Sequence, residues 1–276
     1  MPRKPLSFSI KNSESTRRLS LGHVALIVVM GVCYVVNQGG GGYDLTYLVA
    51  RRTSITTAVT SDAAASCPPL KPLPPIKGRN EIALFLQEMN FTHGIEIGVQ
   101  RGNFAAHNLG TWTACQNYKL VDLWAQQNLE TYKDVANVNN QQHENFYQET
   151  QNRLSPWKHK TEYYRMMSVD AAKYTAKQEM QVDFVYVDAR HDYCGCKEDI
   201  ENYWPLIKPG GILAGHDFMH NDEVRPQDWS ICSDGSIHPE AVKGAVMEFA
   251  NKHGLPLHLT YREPKWNSWW MQKPLC

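Results

Sequence analysis

Acidic and imidazole side chains follow two apolar segments of the sequence, and these residue types can bind a metal ion or move a proton. The segment Val182–Asp188 is apolar and β-branched with an acidic end, which predicts a buried strand. The segment Gly211–Gly215 predicts a second strand. The candidate side chains at or just beyond the two strand ends are Asp188, His191, His216 and Asp217. With an ordinary pKa of about 6.5, a histidine such as His191 can accept a proton near neutral pH. A structural role within the fold remains the alternative for His216.

A glycine-rich turn earlier in the chain is the element that must position these groups. The apolar segment 91–97 predicts a strand, Gly98 and Gly102 allow a sharp turn, and a helix is predicted from Asn103. Such a turn collects backbone N–H groups and a positive helix end at one point, which suits a nucleotide-like ligand. Glu96 lies inside the predicted strand end, where a carboxylate needs a partner that a cationic ligand could supply. We therefore expect Glu96, Gly98 and Gly102 to bind a cofactor, although similar turns occur in many α/β folds.

Two further strands add candidate ligand-binding residues. Asp122 ends the predicted strand 118–122, about 20 residues after the turn, and this spacing is typical of a carboxylate that binds ribose hydroxyls. A weak strand at 163–167 precedes Ser168, which we expect at the edge of an adenine ring. The segment 125–157 between them predicts a surface helix with an inserted loop over the cofactor site.

The overall composition limits the class of partner. The chain has 276 residues, enough for one α/β domain with appendages. It contains 28 Lys plus Arg and 28 Asp plus Glu, so the formal net charge is zero. This balance argues against nucleic acid as the main partner. The sequence does not indicate an oligomeric state.

The amino-terminal part predicts a membrane anchor. Residues 1–18 form a basic tail, and residues 19–36 are apolar and about long enough to span a thin bilayer as a helix. Residues 37–80 are rich in Gly, Ser, Thr and Pro and predict a linker, so residues 81–276 form the main domain. We expect a single-pass membrane protein with a cytosolic amino terminus and a domain in the lumen of the Golgi or endoplasmic reticulum. The alternative is a secreted or organelle-targeted protein whose presequence is cleaved.

The cysteine pattern is compatible with disulfides. Of seven cysteines, Cys33 lies in the apolar run and the other six lie outside it. An even number is typical of disulfide pairing, but the pairs cannot be assigned from sequence. The spacing Cys194-x-Cys196 is too short for the usual zinc-binding pair.

Two motifs give the sequence a family resemblance. Asp188-x-x-His191-x-Tyr193 is followed at 204–217 by Trp-Pro-Leu-Ile-Lys-Pro-Gly-Gly-Ile-Leu-Ala-Gly-His-Asp, and the turn has the spacing Glu-x-Gly-x-x-x-Gly. This part of the chain resembles the class I S-adenosylmethionine-dependent methyltransferases, in particular the family of bacterial sugar O-methyltransferases and cephalosporin-hydroxylase-like proteins. The resemblance implies a Rossmann-like α/β fold: a seven-stranded, mostly parallel sheet with an antiparallel carboxyl-terminal hairpin. The segments 255–262 and 268–272 can supply that hairpin.

The resemblance also implies roles for the candidate residues. The cofactor would be S-adenosylmethionine, with Asp188 among its contacts and His191 as the general base. In metal-dependent relatives, carboxylates at these strand ends hold Mg²⁺ or another divalent metal, which makes Asp188 and Asp217 the expected ligands, with His216 as the third. His216 stands where some relatives carry an acidic ligand, and imidazole is a poorer magnesium ligand than carboxylate. Either a softer metal binds here or none does.

Three functions therefore remain open from the sequence. The first is an O-methyltransferase that acts on a hydroxyl of a sugar or another small acceptor. The second is a non-catalytic binding module on the same fold. The third is a metal-dependent, hydroxylase-like protein with iron held by Asp188, His191 and His216, since two histidines and one carboxylate are typical of such sites. The glycine turn with Glu96 and Asp122 favours the methyltransferase, because an iron enzyme does not need a nucleoside pocket.

Overall fold

The structure, a computed structural model, describes residues 24–29, 32–39, 42–48, 70, 73–263 and 265–276. The chain divides into two compact units, Met1–Ala64 and Ala65–Cys276. In the first unit, three antiparallel strands pair in the order β1-β2-β3. These strands are β1 Val24–Val29, β2 Val32–Gly39 and β3 Gly42–Leu48.

The predicted localisation as a single-pass membrane protein is wrong. The apolar run at 19–36 contains β1 and most of β2 instead of a helix, in keeping with the strand preference of its many valines. Among the residues that the structure describes, no helix is long and apolar enough to cross a membrane. Strand β3 lies within the predicted linker 37–80. The predicted basic tail 1–18 lies outside the described residues.

The second unit contains the predicted seven-stranded sheet, in the order β6-β5-β4-β7-β8-β10-β9. The first five strands in this order are parallel, and β10 runs antiparallel to both β8 and β9, which confirms the predicted fold class. The strands are β4 His93–Ile97, β5 Asn117–Asp122, β6 Thr161–Arg165, β7 Val182–Val187, β8 Ile207–Gly215, β9 His258–Leu259 and β10 Trp269–Gln272. The helices are α1 Ile82–Glu88, α2 Asn103–Thr111, α3 Asn140–Arg153, α4 Ser168–Lys177, α5 Tyr193–Tyr203 and α6 Ala241–His253.

Helices cover both faces of the sheet, so its central strands are buried. In β7, Val185 and Val187 face the core that contains residues of α4, α5 and α6. The alternate residues Phe184 and Tyr186 face the other core, formed with α1 and α2. This alternation follows from the two-residue period of a strand. Burial on both faces leaves the carboxyl edge of the parallel strands as the place for a ligand.

Local contacts set the bounds of three elements near the site, and the two strands among them differ from the prediction. Helix α5 begins at Tyr193 because the Asp192 side chain caps it by accepting a hydrogen bond from the Gly195 N–H, 2.9 Å away. Strand β6 ends at Arg165, so Ser168 is the first residue of α4. Strand β8 begins at Ile207 because Ile207 pairs with Val182 across a register shift in β7. These differences move the element ends but not the order of the strands.

Candidate functional site

The glycine turn after β4 brings two strand ends into close contact. Gly98 has a φ of +88°, and Gly102, which precedes α2, has a φ of +70°. A Cβ atom at Gly98 would lie 1.8 Å from the Asp188 carbonyl oxygen, so a side chain cannot be accommodated there. The turn therefore needs glycine at both positions for conformation and, at Gly98, also for space.

Asp122 connects the glycine turn to the end of β5. One of its carboxylate oxygens accepts a hydrogen bond from the Gln100 N–H at 2.8 Å, and the other accepts one from the Trp124 N–H at 2.7 Å. Burial raises the pKa of Asp122 despite these two hydrogen bonds. Each oxygen keeps a lone pair for a further donor, so the carboxylate can still accept hydrogen bonds from a ligand.

A cavity of about 390 Å³ lies at the carboxyl edge of the sheet. Most of the residues predicted to bind a cofactor or perform chemistry line it: Gly98, Asp122, Ser168, Asp188, His191, His216 and Asp217. Glu96 and Gly102 are not among its lining residues. The sheet thus brings together residues from the ends of four strands, β5, β4, β7 and β8, and from the start of α4.

Glu96 is buried beside the cavity. Its side chain accepts a hydrogen bond from the Tyr118 hydroxyl at 2.8 Å, and the residue is 2% exposed. Burial raises the pKa of Glu96 to about 8, so its carboxyl group is protonated at neutral pH. The expected partner of Glu96 was a cationic ligand, whereas the partner that the structure gives it is Tyr118.

His191 is the centre of a cluster of acidic side chains. Its Nδ1 lies 2.7 Å from Asp134 Oδ2, and its Nε2 lies 3.5 Å from Asp188 Oδ1 and 3.3 Å from Asp217 Oδ2. Nε2 is buried and has no hydrogen bond of good geometry among the residues that the structure describes. Because Nδ1 lies against Asp134, the neutral ring donates its Nδ1 proton there and leaves the Nε2 lone pair directed at the two other carboxylates.

The charges around His191 change its protonation. Burial lowers its pKa, but the nearby carboxylates of Asp134, Asp188 and Asp217 raise it by more, so the pKa of His191 lies well above the ordinary value of 6.5. The sequence suggested an ordinary pKa because it does not show three carboxylates around one ring. Burial alone would raise the pKa of Asp188. His191 and His216 lower it by more, so the pKa of Asp188 lies below the ordinary value of an aspartate.

His216 has a different partner from the one expected of a metal ligand. Its Nδ1 lies 2.6 Å from Asp217 Oδ1 and 4.0 Å from Asp188 Oδ1. The donor atoms that could hold one metal ion come instead from Asp188, His191 and Asp217, and all lie within 4.8 Å of one another. The expected ligand set therefore differs from this group in its histidine, because His191, in the loop between β7 and α5, has its Nε2 within 3.5 Å of both carboxylates.

Three important residues at the cavity were missed from the sequence. Asp134 comes from the inserted segment between β5 and α3, and Trp229 comes from the loop after β8, where its ring lies 4.5 Å from the His191 ring. The two segments meet where Lys133 pairs with Asp228 in an antiparallel bridge. Arg79, from a short 3₁₀ helix before α1, lies 3.6 Å from Asp188. Nothing in the local sequence of these residues distinguishes them, since each is far along the chain from its partner.

A disulfide fixes the loop that carries Trp229. Cys194, near the start of α5, is bonded to Cys232 in that loop. Cys276 is also disulfide-bonded, while Cys115 and Cys196 are buried free thiols. The Cys194–Cys232 bond thus ties the loop after β8 to the same strand end that presents His191.

Part of the second unit matches a known protein family. Residues 95–218 match the model of a family described as "Methyltransferase domain", and they contain the glycine turn and all four side chains of the candidate cluster at the ends of β7 and β8. This match confirms the predicted resemblance to the class I S-adenosylmethionine-dependent methyltransferases. No curated protein sequence matches the chain.

Solved structures share the fold of this methyltransferase domain. One is a candidate caffeoyl-CoA O-methyltransferase from Staphylococcus aureus, with 12% identity, a TM-score of 0.50 and coverage of 75% of this chain and 86% of that chain. Another is an O-methyltransferase from Bacillus cereus in complex with SAH, with 15% identity, a TM-score of 0.50 and coverage of 76% and 86%. At these identities the likeness concerns the fold.

Proposed function

We propose that the methyltransferase domain transfers a methyl group from S-adenosylmethionine to a hydroxyl group of a sugar or another small acceptor, with His191 as the central catalytic residue. The observation that carries the proposal is the position of His191. Asp134 holds its Nδ1 at 2.7 Å, and its Nε2 faces Asp188 and Asp217 at the wall of a cavity that begins at the glycine turn. O-methyltransferases among the structures of similar fold support the choice of a hydroxyl.

The residues of the turn fit the adenosyl cofactor. Asp122 retains acceptor capacity for ribose hydroxyls, because each of its oxygens accepts one backbone N–H. Ser168 lines the same cavity from the start of α4 and can contact the adenine ring. The cofactor supplies an electrophilic methyl group, so the chain's own task is to position the acceptor and remove its proton.

His191 is suited to remove that proton. Nε2 takes the proton of the acceptor hydroxyl, while Asp134 keeps the ring oriented and stabilises the imidazolium that forms. The raised pKa means that His191 is itself protonated at neutral pH unless another positive charge replaces the proton. Turnover without a metal should therefore increase as the pH rises through the raised pKa of His191.

The same donor atoms fit a divalent cation. The buried Nε2 of His191 lacks a well-formed hydrogen bond among the described residues, and it lies 3.3–3.5 Å from one oxygen each of Asp217 and Asp188. These separations are close to the roughly 3 Å between neighbouring ligands around a small cation with bonds of about 2.1 Å. Asp188, His191 and Asp217 would hold the cation, which would lower the pKa of the acceptor hydroxyl. In that case Nε2 of His191 would be a ligand of the cation and would not take the proton.

The two alternatives from the sequence have less support. An iron site of Asp188, His191 and His216 would need two histidines in one donor set, but the candidate donor group found at this cavity among the described residues contains only one. A binding module would not need a histidine held between three carboxylates, since such an arrangement is typical of catalytic sites.

Methyl transfer from labelled S-adenosylmethionine to a panel of sugars and other small hydroxyl compounds tests the proposal. Each acceptor is assayed with a chelator and with added Mg²⁺ or Mn²⁺. Transfer that survives the chelator and is lost in His191→Ala supports His191 as the base, and transfer that needs the metal supports the Asp188–His191–Asp217 site. Cofactor binding without transfer to any acceptor would favour the binding module, and transfer only to amines would contradict the proposed hydroxyl acceptor.

A further inference from the structure

We infer that Arg79 binds the α-carboxylate of the methionyl part of the cofactor. The inference rests on the proposed cofactor and names a residue outside the glycine turn and the strand ends. Arg79 begins the 3₁₀ helix Arg79–Glu81, before α1, and lines the cavity. Its Nη1 lies 3.6 Å from Asp188 Oδ2, and its guanidinium lies 5.9 Å from the centre of the Phe104 ring.

The order of the strands indicates which end of the cofactor reaches Arg79. Asp122 ends β5, Gly98 follows β4, and Asp188 follows β7, and these three strands are neighbours in the sheet. With neighbouring strands about 4.8 Å apart, the ends of β5 and β7 are separated by about 10 Å. If Asp122 holds the ribose, the methyl group must point towards His191, beyond β7. The methionyl part then crosses the end of β4 towards Asp188, where Arg79 lies.

Arg79 has spare capacity to bind a carboxylate there. A guanidinium has five N–H donors, and the 3.6 Å distance to Asp188 is too long for a tight, bidentate pair. The side chain is 38% exposed, so a ligand can reach it. Its backbone is fixed, because the Arg79 N–H donates to Glu263 Oε1 at 2.7 Å and the Arg262 N–H donates to the Lys77 carbonyl oxygen at 2.8 Å. A charged donor held in place beside an open cavity is what a carboxylate needs.

The competing cation in the cavity is Arg190. Its Nε donates to Asp192 Oδ2 at 2.6 Å, its Nη1 lies 3.3 Å from Gln127 Oε1, and its guanidinium lies 4.9 Å from the Tyr132 ring centre. Its Nη2 is buried without a hydrogen bond among the described residues. These partners direct Arg190 towards the inserted segment and the start of α5, so we assign the carboxylate to Arg79.

A comparison of two ligands tests this assignment. S-adenosylhomocysteine carries the amino-acid part, whereas 5′-methylthioadenosine has the same nucleoside and thioether without it. Isothermal titration should show that Arg79→Gln weakens binding of S-adenosylhomocysteine by about 10- to 100-fold, which is typical of a lost charge-assisted hydrogen bond. Binding of 5′-methylthioadenosine should change by less than about twofold, because the nucleoside contacts remain. Arg79→Lys, which keeps the charge, should fall between Arg79→Gln and the unchanged chain.

Two control variants separate the possible outcomes. Arg262→Gln removes an arginine from the segment that packs against Lys77 but not from the cavity, and it should leave both affinities unchanged. If Arg190→Gln, and not Arg79→Gln, selectively weakens S-adenosylhomocysteine, the assignment to Arg79 is overturned. Equal losses for both ligands in Arg79→Gln would also overturn it, since the effect would then be on the whole pocket. If the unchanged chain binds neither ligand, the proposed cofactor itself fails.

Discussion

The cavity has a proposed cofactor side and a proposed catalytic side, and the two are built in different ways. On the cofactor side, β4, the glycine turn and α2 follow one another along the chain, and the Gln100 N–H meets Asp122 only 22 residues later. On the catalytic side, Asp134 meets His191 across 57 residues, and Trp229 comes from the loop after β8. One side is a continuous strand–turn–helix unit, and the other is assembled from separate loops.

Because of this difference, we expect cofactor binding and catalysis to depend on different parts of the chain. A strand–turn–helix unit places backbone donors and a carboxylate with little help from the rest of the fold. Loops on such a scaffold can vary and are a common location for catalytic residues. We therefore expect changes on the cofactor side to alter affinity and changes on the catalytic side to alter turnover.

The largest expected effect is on the catalytic side. His191→Ala should lower turnover by about 10²–10⁴-fold, because it removes the proposed base or metal ligand. The affinity for S-adenosylhomocysteine should stay within about twofold, since that ligand is bound by the other side of the cavity. The measurements are steady-state methyl transfer and equilibrium binding. His159→Ala, an exposed histidine, is the matched control and should change neither value. Full turnover in His191→Ala would make His191 structural.

The next effect is on the cofactor side. Asp122→Ala should weaken S-adenosylhomocysteine binding by about 10- to 100-fold, because it removes the acceptor for the ribose hydroxyls and the connection to the glycine turn. Turnover at saturating cofactor should change much less. Asp122→Asn retains one acceptor oxygen and should bind with intermediate affinity. Unchanged binding in Asp122→Ala would show that the ribose is held elsewhere.

The two sides of the cavity also differ in how far they could be predicted from the sequence. The strands around the glycine turn were predictable because apolar, β-branched runs end in glycine or aspartate, and the structure confirms β4, β5 and β7. Asp134 could not be predicted as a partner of His191, since the chain folds back over the sheet to bring them together. The place of His191, and not His216, in the candidate group with Asp188 and Asp217 was also not predictable, because it depends on the path of the loop between β7 and α5.

The amino-terminal segment shows a different limit of prediction from sequence. An apolar run of membrane-spanning length predicted a helix, whereas the structure has two strands there. The length and hydropathy of this run are those expected of a membrane-spanning helix, but they do not distinguish such a helix from adjacent valine-rich strands. The β-branched residues of the run were the available signal for strands.

A smaller effect concerns the link between Asp134 and His191. Because the pKa of His191 is raised, turnover without a metal should fall as the pH drops through that raised value and increase on the alkaline side. Asp134→Asn removes one cause of the raised pKa, so the inflection should move to lower pH. The maximal rate should also fall, by about tenfold, because the ring is less firmly oriented. The pH profile of turnover measures both changes, and an inflection that does not move would exclude Asp134 as a positioning residue.

The smallest effect on affinity is expected at Glu96. Glu96→Gln should change S-adenosylhomocysteine affinity by less than about threefold, because the carboxyl group bonds Tyr118 and is protonated at neutral pH. The pKa of about 8 lies above the ordinary 4.5, so proton binding favours the folded state and this contribution is lost as the pH rises through 8. Between pH 6 and pH 8 the unchanged chain should lose about 2 kcal/mol more unfolding free energy than Glu96→Gln. Denaturant unfolding at both pH values measures this difference. A tenfold loss of cofactor affinity would place Glu96 among the direct cofactor ligands.

The most direct test of the central claim is isothermal titration of the purified chain with S-adenosylhomocysteine, alone and with Mg²⁺ or Mn²⁺. The proposed cofactor site predicts saturable binding at one site per chain, with or without the metal, since the turn and Asp122 do not depend on the cation. An absence of binding under all three conditions, in a folded sample, would contradict the assignment of this cavity to S-adenosylmethionine.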